Sequence, residues 1–599
     1  MTDRGRHRRR ALGLLTASAC AAVLSLDVPA ARAATYVLDA SGGGDYEALK
    51  PAVAQAASGD TILVAPGFYT GEGNARVDFF GKDIVLTSTG GPAVTTFGFI
   101  HGPGFNLGSE ETEATVIEGL TLTRAEPSAY VSYAIHCDGS AVTIRDCIFA
   151  ENPSIALFLR GPRESTVANC QFTRNASAIW LNGAEATIRS CTFMENGPPQ
   201  YVWRSAAIGM SSICREILIE DCTFVGNCVV RAGGAIMNRG VDQLVVVDCV
   251  FERNVSDEYG GAVAVDNQYP PMFGGPEFTR CTFTGNRAGS DGGAIHRRRS
   301  NFTASECIFD GNTALRGGAV YCLGDYDQTF DEPSLDGCTF TDNRADIGAA
   351  VMCVGSEPLI DGCLFDSNRA SLWGGGVCAD SIYGDQPSIT HCTFTGNRAE
   401  MGAGVMCMES EPLIDDCLFD SNRASLWGGG VCADGINDHR PSIAHCTFSR
   451  NRSYRGAALL ANRAMRPIVE YCTFYGCGGD DGTIVSLVGA SVDLTNSVIS
   501  FAPRGDPVHL QFGTATVEHC VVFGNADGDW IPAGNTDNLM ADPLFCDVYN
   551  DDFTLCENSP CLAANNAWGE AVGAHGAGCG NCGSAVEVAT WGRIKAMYR

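Results

Sequence analysis

The sequence is poor in positive charge. Lys and Arg together number 40 of 599 residues, against 69 Asp and Glu, which gives a formal net charge of −29. A surface this acidic repels nucleic acid and anionic lipid headgroups, so we expect no nucleic-acid partner. We also expect no cofactor, although such a surface attracts divalent cations such as Ca²⁺ loosely.

Long apolar segments are also missing after the N-terminus. The apolar run over residues 11–26 is shorter than the roughly 20 residues that span a bilayer, and no later run is longer. This run follows a basic stretch over residues 4–10 and precedes Ala31-Arg32-Ala33, an order typical of a secretory signal peptide. A twin-arginine signal at residues 8–10 and a degenerate lipobox ending at Cys20 are alternatives. We predict that residues 1–33 are cleaved and that the protein is secreted or held at the cell surface without a transmembrane segment.

Helix-forming sequence is scarce, and a repeat takes its place. The pattern Cys-x-Phe-x-x-Asn occurs in 12 intact copies at intervals of 21 to 32 residues. Side chains two apart in a strand share a face, so Cys and Phe point the same way and Asn falls at the following bend. The copies begin at Cys147, Cys170, Cys191, Cys222, Cys249, Cys281, Cys307, Cys338, Cys363, Cys392, Cys417 and Cys446.

A second strand follows each copy from about residue 233 onward. It opens with Gly-Gly-Ala-aliphatic or a variant, in which paired glycines permit a tight corner. In five coils a second Cys comes 15 residues after the first, and we predict that both point inward: Cys322, Cys353, Cys378, Cys407 and Cys432. The pattern predicts an all-β fold, a right-handed parallel β-helix, with a helical N-terminal cap and a loop-rich C-terminal cap.

The predicted organisation is a single rod with two ends. Residues 34–100 form the N-terminal cap, with a short helix over residues 47–57, and the first coils. Residues 101–540 form the β-helix repeats, residues 541–583 a Cys-containing C-terminal cap, and residues 584–599 a basic aromatic tail. This tail is interpreted as either a sorting or anchoring address or a disordered end. We expect a monomer.

Cysteines belong to two groups in this interpretation. Those of the repeat are expected to be buried small hydrophobes, mostly reduced, with stacked disulfides or metal binding as the alternatives. Those outside the repeat are disulfide candidates, as exported proteins favour: Cys546, Cys556, Cys561, Cys579 and Cys582.

The repeats resemble those of polymorphic outer-membrane proteins of the chlamydial type over about residues 222–460, where Phe-x-x-Asn is paired with Gly-Gly-Ala-aliphatic. The segments over residues 44–69 and 541–562 are similar to the start and close of pectin-lyase-like bacterial β-helix proteins. This resemblance implies a pectin-lyase-like fold and a secreted or cell-surface role. It implies no particular activity, because that fold hosts lyases, hydrolases, esterases, epimerases and adhesins.

No group of residues in the sequence converges on a catalytic site. We therefore favour a non-catalytic rod that binds polysaccharide or a cell-surface glycan, or that acts as an adhesin. The alternatives are a polysaccharide lyase or glycoside hydrolase acting on acidic glycans, with its site in the loops over residues 201–276, and a purely structural spacer.

The candidate ligand-binding residues form a stripe along the repeats. The residue after the repeat Asn is Arg in six coils, and stacking would align these side chains for reading a polyanion. Pairing with Asp342, Asp366 and Asp420 is the alternative. Trp373 and Trp427 precede two of the glycine corners, as sugar-stacking groups or as packed turns, and His296 opens a basic cluster. The six arginines are Arg287, Arg344, Arg369, Arg398, Arg423 and Arg452.

Overall fold

The computed structural model describes residues 33–99, 104–124, 133–197, 207–266, 275–299, 301–324, 333–381, 385–479 and 484–582. The predicted signal peptide (but for residue 33), the predicted C-terminal tail and loop residues 201–206 and 267–274 lie outside these ranges. The described residues form an all-β parallel β-helix of about 19 coils. None of their helices is long and apolar enough to span a membrane.

One coil illustrates the path of the chain. The post-glycine strand Val351–Val354 leads through a loop to the pre-cysteine strand Leu359–Asp361. A turn at Cys363 opens the phenylalanine strand Leu364–Asp366, and a corner at an asparagine opens the arginine strand Arg369–Trp373. Each kind of strand pairs in parallel with its counterparts in the coils before and after, as the predicted repeat requires.

The phenylalanine and arginine strands follow the repeat most closely. The phenylalanine strands are Gly67–Tyr69, Thr95–Phe99, Thr121–Arg124, Ile148–Ala150, Gln171–Thr173, Thr192–Met194, Thr223–Val225, Val250–Glu252, Thr282–Thr284, Ile308–Asp310, Thr339–Thr341, Leu364–Asp366, Thr393–Thr395, Leu418–Asp420, Thr447–Ser449, Thr473–Tyr475, Val498–Ser500 and Val521–Phe523. The arginine strands are Arg287–Ala288, Arg344–Ile347, Arg369–Trp373, Arg398–Met401 and Arg423–Trp427, with Cys228–Val229 and Val255–Ser256 in the same position.

The remaining strands of the tube form one sheet that wraps two sides of the rod. The long strands Ile208–Glu220 and Ile236–Val247 belong to both sides. The post-glycine strands are Val77–Asp78, Phe105–Leu107, Tyr133–Asp138, Ile155–Arg160, Ser177–Asn182, Val263–Asp266, Ile295–Arg298, Val320–Leu323, Val351–Val354, Val377–Asp380, Val405–Met408, Val431–Gly435, Leu459–Arg463, Val485–Val488 and Val508–Gln511. The pre-cysteine strands are Thr35–Leu38, Thr61–Val64, Val85–Ser88, Val116–Glu118, Thr143–Arg145, Glu164–Ala168, Glu185–Arg189, Glu277–Thr279, Thr303–Ser305, Ser334–Asp336, Leu359–Asp361, Ser388–Thr390, Leu413–Asp415, Ser442–Ala444, Ile468–Glu470, Ser491–Thr495 and Thr514–Glu518.

The core is a stack of phenylalanines inside the tube. From Phe149 to Phe474 the repeat rings lie one above another, with centroids 4.6–5.0 Å apart and nearly parallel planes. None of these rings is exposed to solvent. Stacking at this separation matches the spacing of parallel strands, so the inward direction predicted for the repeat Phe is confirmed.

The repeat cysteines line the same interior as free thiols. The Cys363 backbone N–H donates to the Cys392 Sγ at 3.4 Å, and the Cys363 thiol donates to the Asp361 carbonyl at 3.3 Å. All 12 cysteines of the intact repeats are buried and unbridged. The prediction of a packed, reduced thiol interior agrees with this arrangement.

The second cysteines do not all point inward, which corrects one prediction. Cys322, Cys353 and Cys407 face the core, but Cys378 and Cys432 belong to a separate apolar cluster outside the tube. Their coils carry one extra residue in the arginine strand, which the structure accommodates with a register shift. An additional residue in a strand turns the side chains that follow it to the other face.

The two ends of the rod differ. A helix, Leu49–Gln55, forms within the predicted range and buries Leu49, Ala52 and Val53 against the first coils. Its role as a cap stays a prediction. Near the other end, Phe545–Asp547, Asp552–Cys556 and Ala577–Cys579 form a small sheet, with a 3-10 turn at Val548–Asn550.

That small sheet belongs to a segment that folds back along the side of the last phenylalanine strands. The Thr447 Oγ1 and His575 Nε2 are 2.7 Å apart, and Arg450 Nη2 is 2.7 Å from Asp551 Oδ1. Val572 and Leu555 pack on Val498 from the outside of the tube. The segment thus covers an outer face of the final coils.

Candidate ligand-binding face

Each arginine strand begins at a corner held by a buried asparagine. The Asn368 Oδ1 accepts from both the backbone N–H and the Nδ2 of Asn343, each at 3.0 Å, and the Asn368 Nδ2 donates to the Phe340 carbonyl at 2.9 Å. The next backbone N–H, that of Arg369, donates to the Asn343 carbonyl at 2.9 Å. Because these N–H donors of the corner are all hydrogen-bonded, the corner fixes the point from which each arginine side chain projects.

The predicted arginines form one exposed column. Arg344, Arg369, Arg398, Arg423 and Arg452 pair in register from coil to coil, and Thr313 separates Arg344 from Arg287. All six arginine side chains are exposed. At about 4.8 Å per coil, the five consecutive positions extend for about 19 Å along the rod.

Carboxylates do not neutralise this column. Asp420 Oδ1 accepts from Nε and Nη2 of Arg450, at 2.9 and 2.8 Å, and Asp366 accepts from Ser367 Oγ at 2.9 Å. Within the described ranges, no carboxylate oxygen lies within 4.0 Å of a guanidinium nitrogen of the six arginines. Like charges that face each other across strands repel, and an anion placed over the column would relieve that repulsion.

The two predicted tryptophans stand at the opposite end of the same sheet. Trp373 and Trp427 close two arginine strands and pack, partly buried, on the apolar cluster outside the tube. Leu372 and Leu426, the residues before them, are 40% and 39% exposed. The structure therefore favours the packed-turn reading for the tryptophans, with the leucines as the more open apolar groups beside the arginine column.

His296 is not an exposed ligand contact, which corrects that prediction. Its side chain is buried between the rings of Tyr259 and Tyr321, with centroids 4.9 and 5.5 Å away. Burial lowers the pKa of His296 to about 4, so the ring is neutral at pH 7. The next residue, Arg297, lies inside the tube, so the basic cluster is divided between two environments.

A group of acidic residues on the loop side of the rod was missed in the sequence. Asp380 ends one post-glycine strand and Asp434 is the last residue but one of another. Burial raises the pKa of both carboxyls, with Glu409 adding to the effect. His439 Nδ1 is 3.1 Å from Glu411 Oε1, and its Nε2 is 3.6 Å from Glu409 Oε2. The duplicated Val-Cys-Ala-Asp motif was the available signal for the two aspartates.

A groove of about 310 Å³ lies on the outer face of four pre-cysteine segments. Glu164, Glu185, Glu216 and Gln243 line it in successive coils, and Thr187 Oγ1 donates to Glu164 Oε1 at 3.0 Å. Arg215 Nη1 is 3.9 Å from Glu185 Oε1. These coils differ in length and loop sequence, so no repeat pattern in the sequence points to the groove.

Four of the five disulfide candidates are paired in the C-terminal segment. Cys546 is bonded to Cys579, and Cys556 to Cys582. Cys561 differs from the prediction, because it is a buried free thiol. Its surroundings are apolar, and burial raises the pKa of this thiol to about 12.

The fold places this protein among the parallel β-helix proteins, and a comparison with protein families identifies one family within that class. The chain matches the family model described as right handed beta helix region over residues 94–251, 133–324 and 272–438, which together span more than half of the chain. The protein therefore belongs to the right-handed β-helix family. The resemblance of its repeats to the chlamydial proteins stays a prediction. Compared with curated protein sequences, the chain has no significant match.

Two solved structures are similar to the chain. One is the catalytic domain of GH87 alpha-1,3-glucanase in complex with nigerose, at 11% identity and a TM-score of 0.21, covering 76% of this chain. The chain spans 61% of that domain, which is less than two thirds of its length. The other is PL6 family alginate lyase AlyGC, at 8% identity and a TM-score of 0.16, covering 82% of this chain and 98% of the lyase.

Proposed function

We propose that this protein is an exported, non-catalytic rod that binds an extended anionic polysaccharide along the arginine column. The observation that carries the proposal is the alignment of Arg344, Arg369, Arg398, Arg423 and Arg452 in register, without a carboxylate within 4.0 Å among the described residues. Export rests on the signal-like N-terminus of the sequence.

The chemistry of the column favours carboxylate or sulfate groups on a polymer. Guanidinium groups bind such oxyanions with two parallel hydrogen bonds, which Lys cannot do. A column about 19 Å long is better matched by a chain of sugars than by a small ion. The exposed side chains of Leu372 and Leu426 add apolar surface beside the column for the faces of sugar rings.

The test is a binding measurement with soluble polymers. Wild-type protein is titrated with a polyuronate, a sulfated polysaccharide and neutral dextran, and then the Arg369→Gln/Arg423→Gln variant is titrated in the same way. We expect the anionic polymers to bind and the dextran to fail, with affinity falling as salt is added. The double variant should bind about tenfold more weakly, which corresponds to about 1.4 kcal/mol.

A matched control distinguishes the effect of the arginine column from the effect of positive charge in general. The Arg145→Gln/Arg163→Gln variant removes the same charge from exposed positions elsewhere on the rod and should bind as the wild type does. Equal losses in both double variants, or equal binding of dextran, would contradict the proposal.

Glycoside hydrolysis is the second candidate, and the glutamate groove favours it. Glu185 and Glu216 stand in adjacent coils, about 4.8 Å apart along the rod. Side chains on strands at this spacing can bring their carboxyls to the roughly 5 Å that separates the two carboxyls of retaining glycosidases. Release of reducing ends from acidic glycans by the wild type, lost in Glu185→Gln and kept in the exposed control Glu195→Gln, would establish this candidate in place of the first.

A further inference from the structure

Four cysteines lie close together in the C-terminal segment. Cys546 lies in the edge strand Phe545–Asp547, Cys556 and Cys579 end the other two strands of the small sheet, and Cys582 follows three residues later. The Cys579 Sγ is 3.5 Å from the Cys556 Sγ and 3.9 Å from the Cys582 Sγ, although Cys579 is bonded to Cys546. The two disulfides therefore lie side by side.

The separations between sulfurs of different disulfides, 3.5 and 3.9 Å, are close to those in a tetrahedral metal site. Zn²⁺ binds thiolates at about 2.3 Å, so the sulfurs of a four-cysteine site stand about 3.8 Å apart. The sulfurs of Cys546, Cys556 and Cys579 all lie within 4.8 Å of one another. Cys579 and Cys582 are also separated by two residues, the spacing with which one loop commonly supplies two zinc ligands.

The loop that carries Cys582 is held in place from outside the cluster. The Cys582 backbone N–H donates to Asn558 Oδ1 at 2.9 Å, and Asn558 Nδ2 donates to the Cys582 carbonyl at 2.8 Å. The Cys556 backbone N–H donates to the Leu544 carbonyl at 2.9 Å. These bonds do not involve the sulfur atoms, so the backbone that presents the thiols has contacts of its own.

We propose that these four cysteines form a redox-controlled zinc site, with two disulfides and one Zn²⁺ tetrathiolate as alternative states. Each disulfide takes two electrons and two protons from one dithiol reductant, so two dithiols are oxidised to disulfides and four cysteine thiols are released. Zn²⁺ then displaces four protons, one from each thiol, and binds the four sulfurs. The small sheet keeps its cross-link in either state.

The experiment uses the full protein after reduction with excess dithiol and removal of the reductant without air. Co²⁺ and then Zn²⁺ are titrated while the cobalt–thiolate absorption is followed. We expect one ion per chain, with Zn²⁺ displacing Co²⁺, and no binding by the oxidised protein. Alkylation and mass spectrometry, with and without Zn²⁺, should show that the metal protects Cys546, Cys556, Cys579 and Cys582 together.

Two variants locate the site. Cys579→Ser/Cys582→Ser should lose stoichiometric binding, whereas Cys561→Ser, which removes a buried thiol of the same segment, should bind as the wild type does. Far-ultraviolet circular dichroism checks that each variant is folded. The proposal is overturned if the reduced wild type binds no ion at one per chain, or if added metal slows the alkylation of Cys228 or of no cysteine in the C-terminal segment.

Discussion

At the scale of single residues, register decides the environment of a side chain more than its position in a motif does. Cys353 and Cys378 both come 15 residues after a repeat cysteine, yet one faces the core and the other the outer apolar cluster. His296 is likewise followed by three arginines in the sequence but lies between two aromatic rings. Alternation along a strand separates neighbours that look alike in the sequence.

The burial of His296 makes the stability of the protein sensitive to acid. Its folded pKa, about 4, lies below the unfolded value of 6.5, so its contribution is complete above pH 6.5 and is lost as pH falls towards 4. We expect His296→Phe, which keeps an aromatic ring in the stack, to lose less stability than wild type between pH 7 and about pH 4.5. Measured by urea unfolding, the losses in free energy of unfolding of the two proteins should differ by up to about 3 kcal/mol. Equal losses in both proteins would show that the ring is accessible to protons when folded.

At the scale of strands and corners, the sequence predicts the elements that recur in every coil, but not the consequences of differences between coils. The phenylalanine strand, the asparagine corner and the glycine corner recur with fixed spacing, and all were predictable. The extra residue within the arginine strand can be counted in the sequence, since Asn368 to Gly374 is one residue longer than Asn343 to Gly348. Its effect on the direction of Cys378 required coordinates. The arginine column was predictable as a line of residues, but its lack of carboxylate partners required coordinates.

The glycine corner that ends each arginine strand should tolerate no side chain. Gly428 has φ +64°, and a Cβ there would lie 2.5 Å from the Cβ of Cys432. Gly337 has φ +57°, and a Cβ there would meet nothing within 4 Å. Gly337→Ala should therefore cost about 1 kcal/mol from backbone strain alone, and Gly428→Ala about 2 kcal/mol more.

Urea unfolding of the two glycine variants measures this difference, since both start from positive φ and only one has a steric conflict. Equal destabilisation would mean that the corner relaxes around the new methyl group, and the placement of the arginine strands would then depend less on the corner than we infer.

At the scale of the whole molecule, stacking converts a short motif into a long surface. The segment over residues 356–380 recurs over residues 410–434 with one difference, and the blocks that begin at Ser356 and Ser410 each add two coils and two arginines to the exposed column. The position of the C-terminal segment on the rod was harder to predict from the sequence. Its contacts, such as Thr447 with His575, join residues 128 apart and follow no period in the sequence.

The most direct test of the account is the dependence of affinity on ligand length. Oligomers of one uronic acid, from a disaccharide upward, are titrated against the wild type and Arg369→Gln/Arg423→Gln. The account predicts that wild-type affinity rises with each added sugar until the ligand covers the column, about 19 Å, and then levels off. The variant should show a much weaker rise. Affinity that does not depend on length, or that rises equally in the variant, would contradict the central claim that the arginines act together as one binding surface.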